Sequence, residues 1–312
     1  MRAHWDAVVK PLLEAASPRV VVEIGVFRGA NTEQLLALAG ERDFVLHSID
    51  PEPAPSLDVA ELESRHGERF VYHPQTSLEA LADMDAVDAV LIDGDHNWYT
   101  VYNELKLLER AARNERRPFP TTMLHDVEWP YARRDLYYNP ETVPAEHRHA
   151  HKRGGLMPGE GGVLDEGGVN WMHDHALEEG TPRNGVLTAV EDFLAESEMP
   201  LDYRSVPGYT GLGIVVDRTQ VGSNPRLRDV LERFGTREFL TEQIRRLDEA
   251  RLLAETEIPK QRRALKEAWD GRRRQRLRAD ALEADVARLE GELEAARREL
   301  DALRAASSTR PR

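Results

Sequence analysis

The stretch Ala89-Val-Leu-Ile-Asp93-Gly-Asp-His96 is an apolar run that ends abruptly in two carboxylates, a glycine and an imidazole. An apolar run of this length that closes on turn residues is typical of a buried parallel strand at the edge of its sheet. In open α/β sheets, ligands bind outside the carboxyl ends of the strands. We therefore expect Asp93 and His96 to lie where the chemistry takes place, with Asp95 as a structural turn residue.

The segment nearer the N-terminus has the same organisation. The β-branched run Arg19–Ile24 leads into Gly25 and Gly29, and a helix is predicted over Thr32–Ala39 that Gly40 ends. Strand, glycine turn and helix form the opening unit of a nucleotide-binding α/β sheet. Further strands are predicted over Phe44–Ile49, Phe70–Tyr72, Val87–Ile92 and Thr121–Leu124, with helices over Val59–Arg65, from a cap at Ser77, and over Tyr99–Arg113. This alternation predicts an α/β fold with a doubly wound, mostly parallel sheet.

The alternation stops at Trp129–Asn184, which is rich in glycine, proline, histidine and aromatic residues. A segment this long without periodicity is either a functional lid or disordered, and we expect an inserted lid. A helix over Gly185–Ser197 and an antiparallel pair of strands, Leu201–Val206 and Gly211–Val216, complete a domain predicted over residues 1–218. Residues 219–239 are expected to form a linker.

The segment Leu240–Ala306 consists almost entirely of charged residues, alanine and leucine. Its apolar residues follow a 4-3 spacing, which predicts a long helix in a coiled coil. They are Leu282, Val286, Leu289, Leu293, Ala296, Leu300 and Leu303. Two of the pairs facing each other across the seam have opposite charge, which favours a parallel homo-oligomer; a single solvated helix is the alternative. Residues 307–312 are expected to be a disordered tail.

Composition restricts the possible partners and location. The 312 residues carry a net charge of −14. The segment from Leu240 onward has 18 basic and 15 acidic residues, or +3, so Met1–Phe239 carries −17. An acidic domain argues against a nucleic-acid partner. The chain has no cysteine, no long apolar run and no secretion-signal pattern, so we expect no membrane span and a cytoplasmic location.

Three features of the first unit point to a nucleotide-like cofactor. Gly25 and Gly29 allow close approach of a ligand to the backbone, but the pattern departs from the dinucleotide fingerprint and argues against a pyrophosphate. Glu23 indicates a cofactor with a positive group. Asp50, at the end of the second strand, is placed to accept hydrogen bonds from ribose hydroxyls. The alternative is that the glycines are turn residues and Asp50 caps a helix.

Taken together, four motifs resemble a class I S-adenosylmethionine-dependent methyltransferase. They are Val22-Glu-Ile-Gly-Val-Phe-Arg-Gly-Ala-Asn-Thr32, Ser48-Ile-Asp50, Leu91-Ile-Asp-Gly-Asp-His96 and Leu124-His-Asp126. Within that class the chain is similar to the branch of cephalosporin-hydroxylase-like proteins and macrocin-type sugar O-methyltransferases. The resemblance covers Val20–Asp126 and resumes over Gly185–Asp217. It implies a Rossmann-like methyltransferase fold.

The resemblance also implies which residues hold S-adenosylmethionine. The loop Glu23–Gly29 would hold the methionine part, Asp50 the ribose, and the turn at Ser77 would lie against the adenine. The implied cofactor-binding residues are Glu23, Gly25, Phe27, Gly29, Asp50, Ser77 and Asp93.

A metal site is implied by the same resemblance. In metal-dependent relatives an aspartate at the position of Asp93 binds Mg²⁺, and two residues at the end of the next strand complete the ligands. Here that pair is His125 and Asp126, or Asp126 and Val127 in the alternative register, and Glu128 could add a further oxygen. Histidine is softer than the ligands magnesium usually takes. We expect Mg²⁺ or Mn²⁺ bound by Asp93, His125 and Asp126.

His96 matches the general base of the macrocin-type relatives. An imidazole near neutral pH can accept a hydroxyl proton as the methyl group arrives. The alternative is that His96 caps the following helix or bonds a carbonyl group.

The predicted lid supplies candidates for acceptor binding. Its aromatic and arginine side chains suit a sugar or polyketide-like acceptor. They are Trp129, Tyr131, Arg133, Arg134, Tyr137, Tyr138 and Trp171. Five lid histidines leave a second metal site as a weaker alternative. They are His147, His149, His151, His173 and His175.

The sequence therefore predicts an S-adenosylmethionine-dependent O-methyltransferase. The expected acceptor is a hydroxyl of a sugar, glycan or glycosylated natural product. Two alternatives stay open. One is a metal-independent methyltransferase acting on nitrogen or oxygen, and the other is an inactive scaffold that works through its coiled coil.

Overall fold

The computed structural model describes residues 1–256, 263, 266–276, 278–279 and 282. The chain divides into two compact units, Met1–Thr236 and Arg237–Arg312. Within the described residues, no helix has both the length and the apolar character needed to cross a membrane.

A seven-stranded sheet forms the centre of the first unit. The strands of the unit are β1 (Val20–Ile24), β2 (Val45–Ile49), β3 (Phe70–His73), β4 (Ala89–Ile92), β5 (Thr121–His125), β6 (Leu136–Tyr137), β7 (His151–Arg153), β8 (Asp174–Ala176), β9 (Leu201–Val206) and β10 (Leu212–Asp217). The order in the large sheet is β3-β2-β1-β4-β5-β10-β9, and β10 alone runs opposite to the other six strands. This confirms the predicted doubly wound, mostly parallel, Rossmann-like sheet.

Helices connect the strands and cover both faces of the sheet. They are α1 (Lys10–Ala16), α2 (Ala30–Arg42), α3 (Val59–His66), α4 (Ser77–Asp83), α5 (Trp98–Asn114), α6 (Val186–Glu196), α7 (Arg218–Ser223) and α8 (Pro225–Arg233). The four residues of β4 are fully buried, as expected for a strand covered on both faces. Apolar residues of α5, including Val101 and Leu105, pack in the same core.

Two predicted helix boundaries are wrong. Gly40 does not end α2, which continues to Arg42 and ends where Asp43 adopts a left-handed conformation (φ 58°). A glycine inside a helix costs about 1 kcal/mol relative to alanine but does not stop it, whereas a residue with positive φ does. Ser77 is not the cap of α4; Thr76 is, through a reciprocal capping box with Glu79.

Residues 129–184 are folded. They contain a small antiparallel sheet in the order β6-β8-β7. The buried carboxylate of Asp135 ties this segment to two helices, since its Oδ1 accepts hydrogen bonds from the amides of Trp98 and Gly185, each at 2.7 Å. Trp98 is the first residue of α5 and Gly185 precedes α6. The segment is therefore fixed to the helices that flank the carboxyl edge of the sheet.

The predicted linker over residues 219–239 is largely helical and belongs mostly to the first unit. The Asn224 amide donates to the carbonyl of Ala15 at 2.8 Å, and Arg233 donates to the carbonyl of Ala7 at 2.9 Å. Both contacts join the α7–α8 region to the N-terminal helical segment. The first unit consequently extends to Thr236 rather than ending at residue 218.

The second unit begins with a helix over residues 237–256. Residues 263, 266–276, 278–279 and 282 are helical as well, which agrees with the predicted C-terminal helix. The apolar positions of the predicted coiled coil beyond Leu282 lie outside the described residues, as does the predicted tail 307–312. Self-association through this helix stays a prediction.

Candidate active site

Three side chains converge at the carboxyl edge of the large sheet. Asp93 follows β4, His125 ends β5 and Asp126 follows it. The side-chain Nδ1 of His125 lies 3.0 Å from Asp93 Oδ1 and 2.7 Å from Asp126 Oδ2. Because β4 and β5 are parallel neighbours, their carboxyl ends meet, and the predicted metal ligands are brought together.

Electrostatics favour the charged forms of this cluster. Burial works against ionisation of Asp93, but the hydrogen bond and charge of His125 hold the pKa of Asp93 well below its usual range. Burial likewise opposes charge on His125, but hydrogen bonds to Asp126 and Asp93 raise its pKa to about 9. The amine of Met1 lies 2.9 Å from Asp93 Oδ2 and adds a second positive partner. The carboxylates are thus compensated by cationic groups.

The donor set of Asp93, His125 and Asp126 fits a divalent cation. One ligand atom from each residue lies within 4.8 Å of the other two, and no other group of three potential ligands this close occurs among the described residues. Two hard carboxylate oxygens and one imidazole suit Mn²⁺ at least as well as Mg²⁺. The five lid histidines do not form a second such group in the part of the chain that the structure describes.

The backbone at Asp126 is in a left-handed conformation, with φ 63°. A non-glycine residue held in this region costs about 1–3 kcal/mol, and such residues cluster at functional sites. In the alternative register Val127 would replace His125, but its side chain is buried and offers no ligand atom. The geometry therefore favours the pair His125 and Asp126.

His96 lies beside the same cluster. Its Nε2 is 3.3 Å from Asp126 Oδ2, and only 7% of the residue is exposed. Its ring stacks on Tyr131 with the centroids 5.4 Å apart, and Tyr138 lies 5.8 Å away. His96 does not cap the following helix, because the Asn97 side chain accepts the hydrogen bond from the Thr100 amide. The imidazole is therefore held between a carboxylate and lid aromatics.

The glycine loop, Glu23–Gly29, lies directly against the end of β4. Gly25 has φ 90°, and a Cβ atom there would come within 2.3 Å of the Asp93 carbonyl oxygen. Gly29 has φ 75°, and a Cβ there would meet Leu57 at 2.5 Å. Glycine accommodates both positive φ values, and Gly25 in particular allows the loop to approach the end of β4 closely. Phe27, at the tip, is 65% exposed.

Asp50 fixes the backbone of this loop through hydrogen bonds to its side-chain carboxylate. Its Oδ2 accepts hydrogen bonds from the amides of Val26 at 2.9 Å and Phe27 at 3.0 Å, and its Oδ1 accepts one from the amide of Glu52. A carboxylate offers about four acceptor positions, so capacity for ribose hydroxyls is left. The ribose contact stays a prediction, and the loop contacts are an additional role.

Glu23 is placed underneath the loop rather than in the open cleft. It is 1% exposed, and its oxygens accept hydrogen bonds from Asn31, Thr32 and Ser48 at 2.7–2.9 Å. These contacts tie β1 and β2 to the start of α2. Positioning of the loop is thus the role that the contacts support, while direct contact with the cofactor stays a prediction. Ser77 is buried at the first turn of α4.

Two neighbours of the cluster could not be identified from the sequence. Thr210 Oγ1 lies 3.0 Å from His125 Nε2, across 85 residues of chain. The ring of His4 lies 6.2 Å from that of His125, and burial together with His125 lowers the pKa of His4 to about 4. Both residues lie in segments whose sequence patterns are apolar or turn-like, so no local signal marks them.

Residues 22–115 match the Methyltransf_24 family, described as a methyltransferase domain. No curated protein matches the chain. Among solved structures, the Podospora anserina methyltransferase PaMTH1 bound to SAH is similar with 12% identity and a TM-score of 0.41, over 70% of this chain and 78% of that one. The N-terminal domain of EvdMO1, solved with SAH and D-fucose, has 18% identity and a TM-score of 0.33, over 69% and 79%. Structural similarity at this level is too low to bear on the substrate of the chain.

Proposed function

We propose that this chain, which contains a class I S-adenosylmethionine-dependent methyltransferase domain, methylates a hydroxyl group of a sugar, glycan or glycosylated natural product. The observation that carries the proposal is the position of His96. Its Nε2 lies 3.3 Å from Asp126, at the same sheet edge as the glycine loop and the cluster of potential metal ligands. A base placed between cofactor loop and lid suits removal of a proton from an acceptor hydroxyl.

The proposed roles follow the placement of the residues. The loop Glu23–Gly29 and Ser77 orient S-adenosylmethionine, which supplies an electrophilic methyl group, and Asp50 accepts hydrogen bonds from its ribose. Alignment of the acceptor oxygen with that methyl group carries much of the rate. His96 accepts the hydroxyl proton at the ring nitrogen that does not face Asp126, and Asp126, 3.3 Å from Nε2, stabilises the resulting imidazolium.

A divalent cation, Mn²⁺ or Mg²⁺, would be held by Asp93, His125 and Asp126. Bound there, it would lower the pKa of a hydroxyl beside it. His125 must then offer a neutral nitrogen, so metal binding and the present hydrogen bonds of His125 to the two carboxylates exclude each other.

One observation favours the metal-independent alternative. Within the described residues His125 already bridges both carboxylates, so the cluster is electrostatically satisfied without a cation. In that reading His125 is a permanent partner of Asp93 and Asp126. The response of turnover to a chelator separates the two readings.

The remaining parts of the proposal concern assembly and location. The C-terminal helix joins copies of the chain into a homo-oligomer, supported by the heptad spacing of its sequence. A cytoplasmic location is kept as an expectation from the sequence.

The test begins with cofactor binding by calorimetry on the full chain. S-adenosylmethionine should bind, and S-adenosylhomocysteine should accumulate with hydroxylated glycosides but not with the same glycosides whose hydroxyls are fully blocked. Failure of S-adenosylmethionine to bind would refute the enzyme and leave the scaffold. Product formed only with amine acceptors would refute transfer to oxygen.

A further inference from the structure

A cavity of about 480 Å³ lies on the outer side of α5, where this helix faces α6 and the lid. It is lined by Trp98, Tyr99, Tyr102, Asn103, His147, Pro182, Arg183, Thr188, Asp192 and Glu196. Its volume falls within the range of about 300–1,000 Å³ typical of small-molecule sites. None of the proposed catalytic, metal or cofactor residues lines it, so this α5–α6 pocket is separate from the methyl-transfer site.

Aromatic rings form one wall of the α5–α6 pocket. Trp98 and Tyr102 stack with their ring centroids 4.8 Å apart. The imidazole of His147, from the lid, stacks on Tyr99 at 4.9 Å and lies 5.9 Å from Trp98. Because the rings brace one another, they present fixed flat faces to a ligand at little cost in side-chain entropy.

Hydrogen-bonding groups with unused capacity surround these rings. Asp192 accepts a hydrogen bond from Trp98 Nε1 at 2.8 Å, and Glu196 accepts one from the hydroxyl of Tyr102. The second oxygen of each carboxylate has no hydrogen-bond partner among the described residues. The Nδ1 atom of His147 is buried and also lacks a partner there.

Arg183 contributes a positively charged guanidinium group to the lining of the α5–α6 pocket. Its guanidinium lies 5.2 Å above the Trp98 ring and makes no ion pair or hydrogen bond with any residue that the structure describes. Its backbone is left-handed, with φ 57°, a conformation that costs energy in a non-glycine residue. An unpaired arginine held over an aromatic ring at the mouth of a pocket is available to donate to a ligand.

We propose that the α5–α6 pocket binds a neutral saccharide ring. Two carboxylates disfavour an anionic ligand, and Arg183 disfavours a cationic one. A neutral ligand with several hydroxyls satisfies both, since its hydroxyls donate to Asp192 and Glu196 and accept from Arg183. The apolar C–H face of a pyranose matches the flat face of Tyr99 or Tyr102. The identity of this saccharide as the non-reacting part of the methyl acceptor rests on the proposed function, whereas saccharide binding itself does not.

The first experiment measures binding to the full chain by calorimetry. The probes are methyl glycosides of neutral hexoses, compared with methyl glucosaminide as the cationic analogue and methyl glucuronide as the anionic one. At least one neutral glycoside should bind with a millimolar or lower Kd, more tightly than either charged analogue. Absence of binding by every neutral glycoside, or tighter binding of a charged analogue, would overturn the proposal.

Substitutions then locate the bound saccharide. Arg183→Gln and Glu196→Gln should each weaken it at least about tenfold, because each removes a hydrogen bond to a charged group. Arg226→Gln on α8 and Glu41→Gln on α2 are matched controls on exposed residues, and they should leave Kd unchanged. Equal Kd values in the pocket variants and their controls would place the saccharide elsewhere and overturn the proposal.

Tyr99 separates ring stacking from hydrogen bonding. Tyr99→Phe keeps the ring and should retain the affinity for the neutral glycoside, whereas Tyr99→Ala should lose it. The affinity for S-adenosylmethionine should be unchanged in both variants. If glycosides bind in the pocket but none is methylated, the proposed acceptor class fails while the pocket assignment stands.

Discussion

Two buried acidic regions, the cluster at the carboxyl ends of β4 and β5 and Glu104 of α5, behave in opposite ways. At the carboxyl edge, Asp93 and Asp126 face imidazole groups, and their pKa values are lowered although burial alone would raise them. On the inner face of α5, Glu104 is fully buried, and neither of its oxygens has a hydrogen-bond partner among the described residues. Burial raises the pKa of Glu104 to about 8, against the pull of the neighbouring Ser77 hydroxyl.

The difference shows that partners rather than burial decide the charge of a carboxylate. The paired region keeps its negative charge at neutral pH and can hold a cation or stabilise an imidazolium. The unpaired Glu104 is mostly protonated there and acts as a neutral polar group in the core. Only the first region is therefore suited to proton transfer and metal binding.

The largest expected effect comes from removing His96, the proposed base beside the paired region. His96→Ala should lower turnover by roughly 10²–10⁴, the usual contribution of general base catalysis, while the affinity for S-adenosylmethionine stays near wild type. Steady-state kinetics with calorimetry on the same samples measures both. His66→Ala, at the end of α3, is the matched histidine variant and should keep full turnover. Undiminished turnover in His96→Ala would remove His96 as the base.

Metal removal tests whether the paired region holds a cation. Treatment with a chelator should lower turnover by at least about tenfold, and added Mn²⁺ or Mg²⁺ should restore it, because a Lewis acid contributes several kcal/mol to such steps. Asp93→Asn should abolish the restoration. Turnover that is indifferent to the chelator would support the metal-independent alternative, in which His125 bridges the two carboxylates.

Asp50 offers a carboxylate whose partners are backbone amides rather than cations. Asp50→Ala should weaken S-adenosylmethionine binding by about tenfold or more, since it removes charge-assisted hydrogen bonds to the ribose and frees the Val26–Phe27 turn. Asp50→Asn keeps part of the hydrogen-bonding capacity, so its affinity for S-adenosylmethionine should lie between those of the wild type and Asp50→Ala. Unchanged affinity in Asp50→Ala would refute the ribose assignment.

Substitution of Glu104 should change the free energy of unfolding rather than turnover. A carboxyl group with a raised folded-state pKa contributes stability that is fully present below its unfolded pKa, near 4.5, and lost as pH rises through about 8. Glu104→Gln stays neutral, so it should be more stable than wild type at pH 8–9, by about 4 kcal/mol, and equal to it near pH 4. Denaturant unfolding at both pH values measures this. A pH-independent difference would contradict the raised pKa.

Sequence reasoning succeeded where local pattern and general topology coincide. Apolar runs and turn residues identified the five parallel strands, because a strand covered on both faces must be continuously apolar. The resemblance to metal-dependent methyltransferases implied the set Asp93, His125 and Asp126, and the parallel pairing of β4 and β5 brings these residues together at one edge of the sheet. Residues 22–115 match a methyltransferase domain, in agreement with the resemblance of the motifs.

Errors arose where a boundary depends on local competition. Thr76 caps α4 in place of Ser77 because Thr76, not Ser77, stands three residues before Glu79 and can form the reciprocal pair. Residues 129–184 show no hydrophobic periodicity from which their strands could be predicted. They are held by long-range polar contacts such as those of Asp135, which sequence periodicity does not reveal.

The sequence by itself determined the fold class, the strand ends at which the candidate site residues lie and the glycines of the loop after β1, since all three depend on residues close together in the chain. The tertiary structure alone decided which partner each charged group meets. His96 meets Asp126 across 30 residues and Thr210 meets His125 across 85, whereas Glu104 lies beside the Ser77 hydroxyl rather than a cation. Charge state depends on distance in space, so a buried carboxylate stays charged in one place and is a neutral core group in another.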